Sequence, residues 1–164
     1  MNNTALITGA SSGLGKEFAL IHASKGGDLV IVARRTQKLN NLKKEIENRY
    51  GTEVKVIAKD LTQPEAPQEI YDEIKTVGIQ INYLINNAGF GGHGKFHERA
   101  WEQDLSMIHL NIIALSALTR LFLPEFVERN RGKILNVSST ASFMPGPLQA
   151  VYFATKAYVT YFSN

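Results

Sequence analysis

The amino-acid sequence predicts a three-layer α/β fold, in which helices cover both faces of one parallel sheet. Short apolar runs without polar alternation, typical of strands buried on both faces, alternate with longer segments of helical periodicity. A glycine-rich turn follows the first apolar run, at the place where such folds bind phosphate groups. The chain of 164 residues is long enough to bury a substantial core, and we predict a single domain over residues 1–164.

The predicted strands and helices follow one another regularly along the chain. We predict strands at residues 4–8, 29–32, 54–58, 83–85 and 133–137, and helices at residues 14–25, 36–50, 64–76, 101–129 and 150–164. Gly51 stops the second helix, and Pro64 opens the third. Right-handed crossovers and a phosphate loop after the first strand favour the strand order 3-2-1-4-5, which is that of a Rossmann-type doubly wound sheet.

The end of the chain predicts an incomplete sheet. No glycine, proline or basic final turn closes the last helical segment, and the fifth strand would be left as an uncovered edge. We therefore expect that the chain is truncated and that the later strands of the sheet are missing.

Composition and charge exclude several classes of protein. The sequence is 44% hydrophobic and 20% charged, which is ordinary for a globular protein. The absence of cysteine excludes disulfides, thiolate zinc sites and thiol catalysis, and the four histidines show no metal-ligand spacing, so no metal is expected. A net charge of only +3, with dispersed basic pairs, does not predict a nucleic-acid partner.

The sequence does not predict a targeting signal or a membrane span. The first residues lack the basic flank and apolar core of a signal peptide. His109, Asn111 and Arg120 interrupt the most apolar stretch, so we do not predict a membrane span. We expect a soluble cytoplasmic protein.

The glycine-rich turn is a candidate phosphate site. Glycines permit a tight turn and a close approach of the backbone to a ligand. The next helix directs its free N–H groups and its positive dipole end at a diphosphate. A structural turn without a ligand is the alternative, but the position between the first strand and the first helix favours a dinucleotide site, with the candidate residues Gly9, Ser11, Ser12, Gly13, Leu14 and Gly15.

The end of the second strand indicates which dinucleotide binds. An NAD site usually places an acidic side chain there, whereas this chain has Arg34 and Arg35. A guanidinium can pair with a 2′-phosphate, and Ser12 could donate a further hydrogen bond to it. The arginines could instead be a solvated basic pair at the start of the second helix. We predict NADP(H) as the cofactor, with NAD(H) less favoured.

A tyrosine and a lysine provide candidate catalytic groups. Tyr152 and Lys156 are four residues apart on the last predicted helix, so their side chains share one face. An unperturbed phenol has a pKa of about 10, and a neighbouring ammonium stabilises its ionised form. Ser139, thirteen residues before the tyrosine, could hydrogen-bond a substrate oxygen. Isolated Tyr-x-x-x-Lys pairs usually form a solvated helix face, but the serine and the phosphate loop together favour catalysis.

The motifs together resemble the short-chain dehydrogenase/reductase family. The resemblance rests on the Gly-x-x-x-Gly-x-Gly spacing, on Asn86-Asn87-Ala88-Gly89 after the fourth strand, and on the Ser139, Tyr152 and Lys156 spacings. It covers the whole chain from the glycine loop to Lys156. It implies hydride transfer between a nicotinamide and a carbonyl or alcohol, with Tyr152 as the general acid or base.

The resemblance also implies roles for the other site residues. Ser139 would orient the substrate oxygen, and Lys156 would act on Tyr152 and bind the nicotinamide ribose. Asn111 would hold a water in a proton relay, although it could be a plain polar interruption of a buried helix. The cofactor would also be bordered by residues that follow the third and fourth strands: Asp60, Leu61, Asn87, Ala88 and Gly89. Asp60 would bind the adenine amino group, or else serve as a helix-cap or turn aspartate.

Substrate, partners and activity stay open at the level of sequence. The apolar loop at residues 143–148 predicts either an apolar substrate edge or a packing surface for a missing segment. Apolar residues on more than one side of the long helix predict a homodimer or homotetramer, or deep burial in the monomer. Family members are usually longer, and the absent part normally supplies a nicotinamide-contacting segment and a substrate lid. The alternative function is a non-catalytic dinucleotide-binding module or an inactive fragment.

Overall fold

Five strands form one parallel sheet in the order β3-β2-β1-β4-β5, as the sequence predicts. The computed structural model describes residues 3–164. Each strand pairs in parallel with its neighbours, and Ala5 of β1 lies opposite both Leu29 of β2 and Tyr83 of β4. The strands are β1 (Ala5–Thr8), β2 (Leu29–Ala33), β3 (Val54–Ala58), β4 (Tyr83–Asn86) and β5 (Lys133–Asn136).

Helices connect the strands, and apart from one- or two-residue shifts at the ends of α1 and α6 they differ from prediction in two places. The helices are α1 (Gly13–Ser24), α2 (Thr36–Tyr50), α3 (Ala66–Thr76), α4 (Trp101–Ile108), α5 (Leu115–Glu128) and α6 (Ala150–Phe162). Helix α3 begins at Ala66 rather than at Pro64, because Pro67 occupies its first turn, where the missing N–H is not needed. The predicted helix at 101–129 is divided by a π-helical turn, His109–Ala114, which joins α4 to α5.

Both faces of the sheet are covered by apolar packing, which confirms the three layers. Alternate residues of β1 point to opposite faces, as in any strand. Leu6 belongs to a core cluster with Ile70 of α3 and Phe122 of α5. Ile7 belongs to a second cluster with Ala19 of α1 and with residues of α2. The central strands are therefore buried on both sides.

The long helical segment Trp101–Glu128 is apolar, and its second half, α5, covers the sheet. Its 28 residues include a window of mean hydropathy 1.5, so by length and composition it could cross a membrane. However, Leu118, Phe122 and Phe126 lie in the core cluster against the sheet. A helix buried in a protein core has the same composition, so this segment alone is weak evidence for a membrane span.

The carboxyl ends of the strands form the crevice of interest. The connections from β1 and β4 leave on opposite faces, because α1 packs in one core cluster and α5 in the other. This reversal between neighbouring strands is the topological switch point, where open α/β sheets bind ligands. At the far edge, β5 pairs only with β4 within residues 3–164, and Leu135 is 44% exposed.

Candidate active site

The glycine-rich turn is built directly against the end of β4. Gly9 has a φ of +70°, in the left-handed region that glycine adopts without strain. A Cβ at Gly9 would lie 2.8 Å from Asn87 Nδ2 and 2.9 Å from Ala88 Cα. A Cβ at Gly15 would overlap the carbonyl oxygen of Gly9. The glycines therefore allow three chain segments to meet at the switch point.

Thr8 and Asn87 fasten β1 to the segment after β4. Asn87 Nδ2 donates to the carbonyl oxygen of Thr8 at 2.9 Å, and the main-chain N–H groups of Asn87 and Ala88 both donate to Thr8 Oγ1 at 3.0 Å. The neighbouring Asn86 donates to Asn136 Oδ1 at 2.9 Å, which joins β4 to β5. Thr8 is a site residue that the sequence analysis treated only as the end of a strand.

Arg35 lies across the glycine-rich turn. Its Nη2 atom is 2.8 Å from both Ser11 Oγ and Ser12 Oγ. Arg34 is exposed, and its Nη1 atom lies 3.9 Å from Asp60 Oδ2. The two arginines and the two loop serines all line one cavity.

Asp60 has the turn role that the sequence analysis kept open. Its Oδ1 atom accepts hydrogen bonds from Thr62 N at 3.0 Å and from Thr62 Oγ1 at 2.9 Å. Its position also borders a cavity of about 270 Å³ that includes most of the predicted loop and arginine residues. Three lining residues were not predicted, namely Ala33, Lys59 and Leu110. Of these, Lys59 could have been found, because it precedes Asp60 at the end of β3.

A second cavity, of about 320 Å³, lies at the carboxyl ends of β1, β4 and β5. It shares Gly9, Ser12, Ala88 and Gly89 with the first cavity, so the two form one groove along the edge of the sheet. Its other lining residues come from the start of α1, the segments after β4 and β5, and α6: Leu14, Asn87, Phe90, Gly91, Val137, Ser138, Tyr152 and Lys156. Phe90, Gly91, Val137 and Ser138 were not predicted. A larger hollow of about 660 Å³ near the amino ends of β4 and β5 contains none of the predicted site residues.

Tyr152 and Lys156 of α6 line this second cavity together. Lys156 is only 6% exposed, and its Nζ atom donates to the carbonyl oxygen of Val137 at 2.8 Å. Burial lowers the pKa of the Lys156 ammonium, because a low-dielectric environment disfavours the charged form. The Tyr152 ring packs beside Gly91, where a Cβ would lie 3.2 Å from Cδ2. The phenol and the cation therefore share the cavity with the glycine-rich turn.

The two serines after β5 have different partners. Ser138 Oγ donates to the carbonyl oxygen of Lys156 at 2.9 Å and lies 2.7 Å from Thr160 Oγ1, so its hydroxyl serves the packing of α6. Ser139 Oγ accepts from the N–H of Ala141 at 3.1 Å and caps the 3₁₀ turn Thr140–Phe143. Accepting this bond leaves the proton of the Ser139 hydroxyl available for another acceptor.

Asn111 lies behind the cavity, in the π-helical turn, and is 1% exposed. Its Oδ1 atom accepts from the N–H of Phe90 at 3.2 Å. Its Nδ2 atom donates to the carbonyl oxygen of Phe90 at 3.0 Å and to Thr155 Oγ1 at 3.0 Å. The side-chain amide therefore joins the loop after β4 to α6.

The fold and this groove define a nucleotide-binding α/β domain with a tyrosine–lysine pair at its switch point. The family model for the short chain dehydrogenases matches residues 3–164. The chain belongs to the short-chain dehydrogenase family.

Individual relatives are similar over nearly the whole chain. The chain is 38% identical to the very-long-chain 3-oxoacyl-CoA reductase of Anas platyrhynchos and 36% identical to that of Homo sapiens, over 98% of this chain and 52% of each relative. It superposes with a TM-score of 0.93 on a short-chain dehydrogenase from Sphingobium yanoikuyae in complex with NADPH, at 37% identity over 98% of this chain and 62% of that one. The L-sorbose reductase of Gluconobacter frateurii, complexed with NADPH and L-sorbose, gives a TM-score of 0.92 at 29% identity over 99% of this chain and 62% of that one. The chain thus spans about half the length of the curated relatives it matches.

Proposed function

We propose that this protein is an NADP(H)-dependent oxidoreductase, which transfers a hydride between the nicotinamide and a carbonyl or alcohol substrate. The observation that carries the proposal is that Tyr152 and Lys156 line the same cavity as Gly9 and Ser12 of the phosphate loop. A proton donor and a dinucleotide loop are thereby placed within one groove. The relatives are named as reductases or dehydrogenases, which supports the same reaction class.

The groove fits a dinucleotide with a 2′-phosphate. The first turn of α1 points its unpaired main-chain N–H groups toward the glycine-rich turn, which suits a diphosphate. Arg35, Arg34 and Ser12 would hold the 2′-phosphate, since no acidic side chain stands at the end of β2 to favour the ribose hydroxyl instead. The complexes of two similar proteins with NADPH support this choice.

In this proposal the cofactor supplies or accepts the hydride, and side chains of the protein donate or accept the proton. Tyr152 gives a proton to the carbonyl oxygen during reduction and takes it back during oxidation. Ser139 donates a hydrogen bond to that oxygen and stabilises its developing charge. Ser138, and not Ser139, lines the cavity, but both hydrogen bonds of Ser138 are to α6, and we therefore assign this role to Ser139. Lys156, which lines the same cavity as Tyr152, would bind the nicotinamide ribose.

An apolar carbonyl compound is the substrate class that we propose. Phe143, Met144 and Leu148, in the segment between Ser139 and α6, are 77%, 58% and 43% exposed. Exposed apolar side chains beside a polar reaction centre suit a substrate with an apolar body. The named relatives, reductases of very-long-chain 3-oxoacyl-CoA, are consistent with such a substrate. Self-association, a proton relay through Asn111 and a cytoplasmic location stay predictions.

Cofactor titration combined with a turnover assay tests the proposed function. NADPH and NADH are titrated into the chain with the fluorescence of its single tryptophan, Trp101, as the signal. Oxidation of NADPH is then followed with a panel of apolar and polar ketones. We expect tighter binding of NADPH than of NADH, and turnover with apolar ketones. Failure to bind either dinucleotide would contradict the proposal. Binding without turnover, also in a chain extended by the C-terminal half of a relative, would favour the non-catalytic module.

A further inference from the structure

A buried ion pair lies beside the loop that forms one wall of the candidate active site. Arg99 Nε donates to Asp104 Oδ1 at 2.8 Å, and the two side chains are only 13% and 2% exposed. Arg99 precedes α4, and Asp104 lies in its first turn. Buried ion pairs often contribute no more stability than apolar residues of similar size, because both charges lose their hydration. Stability alone therefore does not explain this pair.

The remaining contacts of the guanidinium are with the main chain of loop 91–94. Arg99 Nη1 donates to the carbonyl oxygen of His93 at 3.0 Å. A Cβ at Gly92 would collide with Nη2, and a Cβ at Gly94 would lie 3.2 Å from Arg99 Cγ. The loop thus wraps around the arginine side chain, and its position depends on where Asp104 holds the guanidinium.

The same loop contacts the groups that we assign to the reaction. Gly91 and Phe90 line the cavity of Tyr152 and Lys156, and Gly91 packs against the Tyr152 ring. The N–H of Gly94 donates to the carbonyl oxygen of Leu148 at 2.8 Å, in the segment between Ser139 and α6. The loop therefore contacts both Tyr152 and the segment between Ser139 and α6.

The two ends of this wall are fixed by different side chains. Asn111 holds Phe90 through two hydrogen bonds to its main chain. Arg99, held by Asp104, fixes His93 and the glycines on either side of it. Gly91 lies between these anchors. Releasing the second anchor would leave Gly91 free to move away from the Tyr152 ring, whereas the phosphate loop and Arg35 would keep their own contacts.

We propose that Arg99 and Asp104 are positioning residues, which hold loop 91–94 against Tyr152 and set the width of the substrate entrance. The proposal rests on the proposed function of the groove. A guanidinium suits the task because its planar fork binds a carboxylate through Nε and a carbonyl oxygen through Nη1 simultaneously. A lysine has one compact ammonium and lacks this fixed geometry.

Two conservative variants and a matched control test the role. Arg99→Lys keeps the charge but loses the fork, and Asp104→Asn keeps the shape but loses the charge. The control is Lys95→Gln, which breaks the exposed Lys95–Glu98 pair beside the same loop. Amide hydrogen exchange is measured for Gly94, whose N–H donates to the carbonyl oxygen of Leu148. Phe90, which Asn111 holds, and the strands β1 and β2 are the internal references. Exchange requires no turnover, so it tests the loop independently of the proposed function.

We expect exchange of the Gly94 N–H to accelerate by about tenfold in both variants, which is the effect of about 1.4 kcal/mol of lost local stability. KM for the ketone should rise by about tenfold with a smaller change in kcat, since substrate positioning is lost and the reacting groups stay. NADPH affinity should stay within about twofold of the unsubstituted protein, because Arg35 and the phosphate loop do not contact Arg99. Lys95→Gln should change none of these.

Unchanged exchange in a folded Arg99→Lys variant would overturn the proposal. So would an unchanged KM, or acceleration that extends equally to β1 and β2. If Asp104→Asn does not fold, Gly92→Ala takes its place, since its Cβ would collide with the Arg99 guanidinium and disturb the contact between the arginine and the loop. Absence of turnover in the unsubstituted protein would count against the proposed function, while the exchange result would still decide whether the pair positions the loop.

Discussion

The Nδ2 atom of Asn87 lies 2.9 Å from the carbonyl oxygen of Thr8. This contact places the segment after β4 directly on the turn that leaves β1. The position of the Asn87 side chain also explains why Gly9 and Gly15 are glycines. A Cβ would lie 2.8 Å from the same Nδ2 atom at Gly9 and 2.5 Å from it at Gly15. The phosphate loop is therefore shaped by β4 as well as by its own sequence.

Gly15→Ala should damage the loop far more than Gly13→Ala. At Gly15 the new Cβ overlaps the main chain of Gly9, so the loop must shift, with a cost of about 1–3 kcal/mol of unfolding free energy. At Gly13 no atom lies within 4 Å, and only the φ of +55° opposes alanine, at about 1 kcal/mol. Denaturant unfolding and NADPH titration of both variants measure the difference. Equal losses of NADPH affinity would show that the close approach at Gly15 does not shape the site.

Arg35→Gln should weaken NADPH binding and leave NADH binding almost unchanged. A lost charge-assisted hydrogen bond of about 1.5–3 kcal/mol predicts a fall of about 10- to 100-fold in NADPH affinity. Lys16→Gln is the matched control, because it removes one exposed cation of an ion pair elsewhere in the region of α1 and α2. A similar loss for both dinucleotides would mean that Arg35 supports the loop through Ser11 and Ser12 rather than binding the phosphate.

Tyr152→Phe should abolish most turnover without loss of cofactor binding. Removal of the proton donor is expected to lower kcat by about 10²–10⁴-fold, the usual contribution of a general acid or base. Tyr158→Phe serves as the control, since this tyrosine also lies on α6 but contacts Ser116. Turnover is measured with NADPH and a ketone, in the chain or its extended form. If Tyr152→Phe retains the unsubstituted rate, the assignment of the proton donor fails.

A fourth test concerns the contact between α3 and α5. Tyr71 OH donates to Glu125 Oε1 at 2.6 Å, and Lys75 Nζ lies 3.1 Å from the same oxygen. Burial alone would raise the pKa of Glu125, but the hydrogen bonds from Tyr71 and Lys75 and the charges of Lys75 and Arg129 outweigh it, so the pKa lies below its ordinary value. The hydrogen bond to Glu125, followed by burial and by the negative charges of Glu125 and Asp72, raises the pKa of Tyr71 to about 12.

These shifts predict a stability that falls at both extremes of pH. The contribution of Glu125 is present above its ordinary pKa of 4.5 and is lost as the pH falls through the lowered value. The contribution of Tyr71 is complete below pH 10.0 and is lost as the pH rises toward about 12. Tyr71→Phe should lower the unfolding free energy at neutral pH by about 1 kcal/mol and reduce the alkaline loss. Urea unfolding across the pH range measures both effects, and Tyr161→Phe, at an exposed tyrosine, is the control. If Tyr71→Phe loses as much stability at alkaline pH as the unsubstituted protein, the loss does not come from Tyr71.

The sequence predicted the fold well because strands and helices depend on residue patterns within short segments of the chain. The apolar runs and helical periods placed all five strands, and right-handed crossovers together with the phosphate loop after the first strand gave the order β3-β2-β1-β4-β5. Helix α3 was placed two residues too early, since the choice between Pro64 and Pro67 for its first turn depends on packing. The π-helical turn was missed for a similar reason, because Asn111 is held there by Phe90 and by Thr155, which is 44 residues away in the chain.

The sequence by itself determined the class of fold, the phosphate loop and the residues Tyr152 and Lys156, because each depends on residue type and on spacing along a few turns of chain. Only the tertiary structure decided which atoms meet: Arg35 with Ser11 and Ser12, Ser138 with α6, and the Arg99–Asp104 pair with loop 91–94. These contacts form after the helices and strands have packed, and the geometry of that packing determines which donor reaches which acceptor.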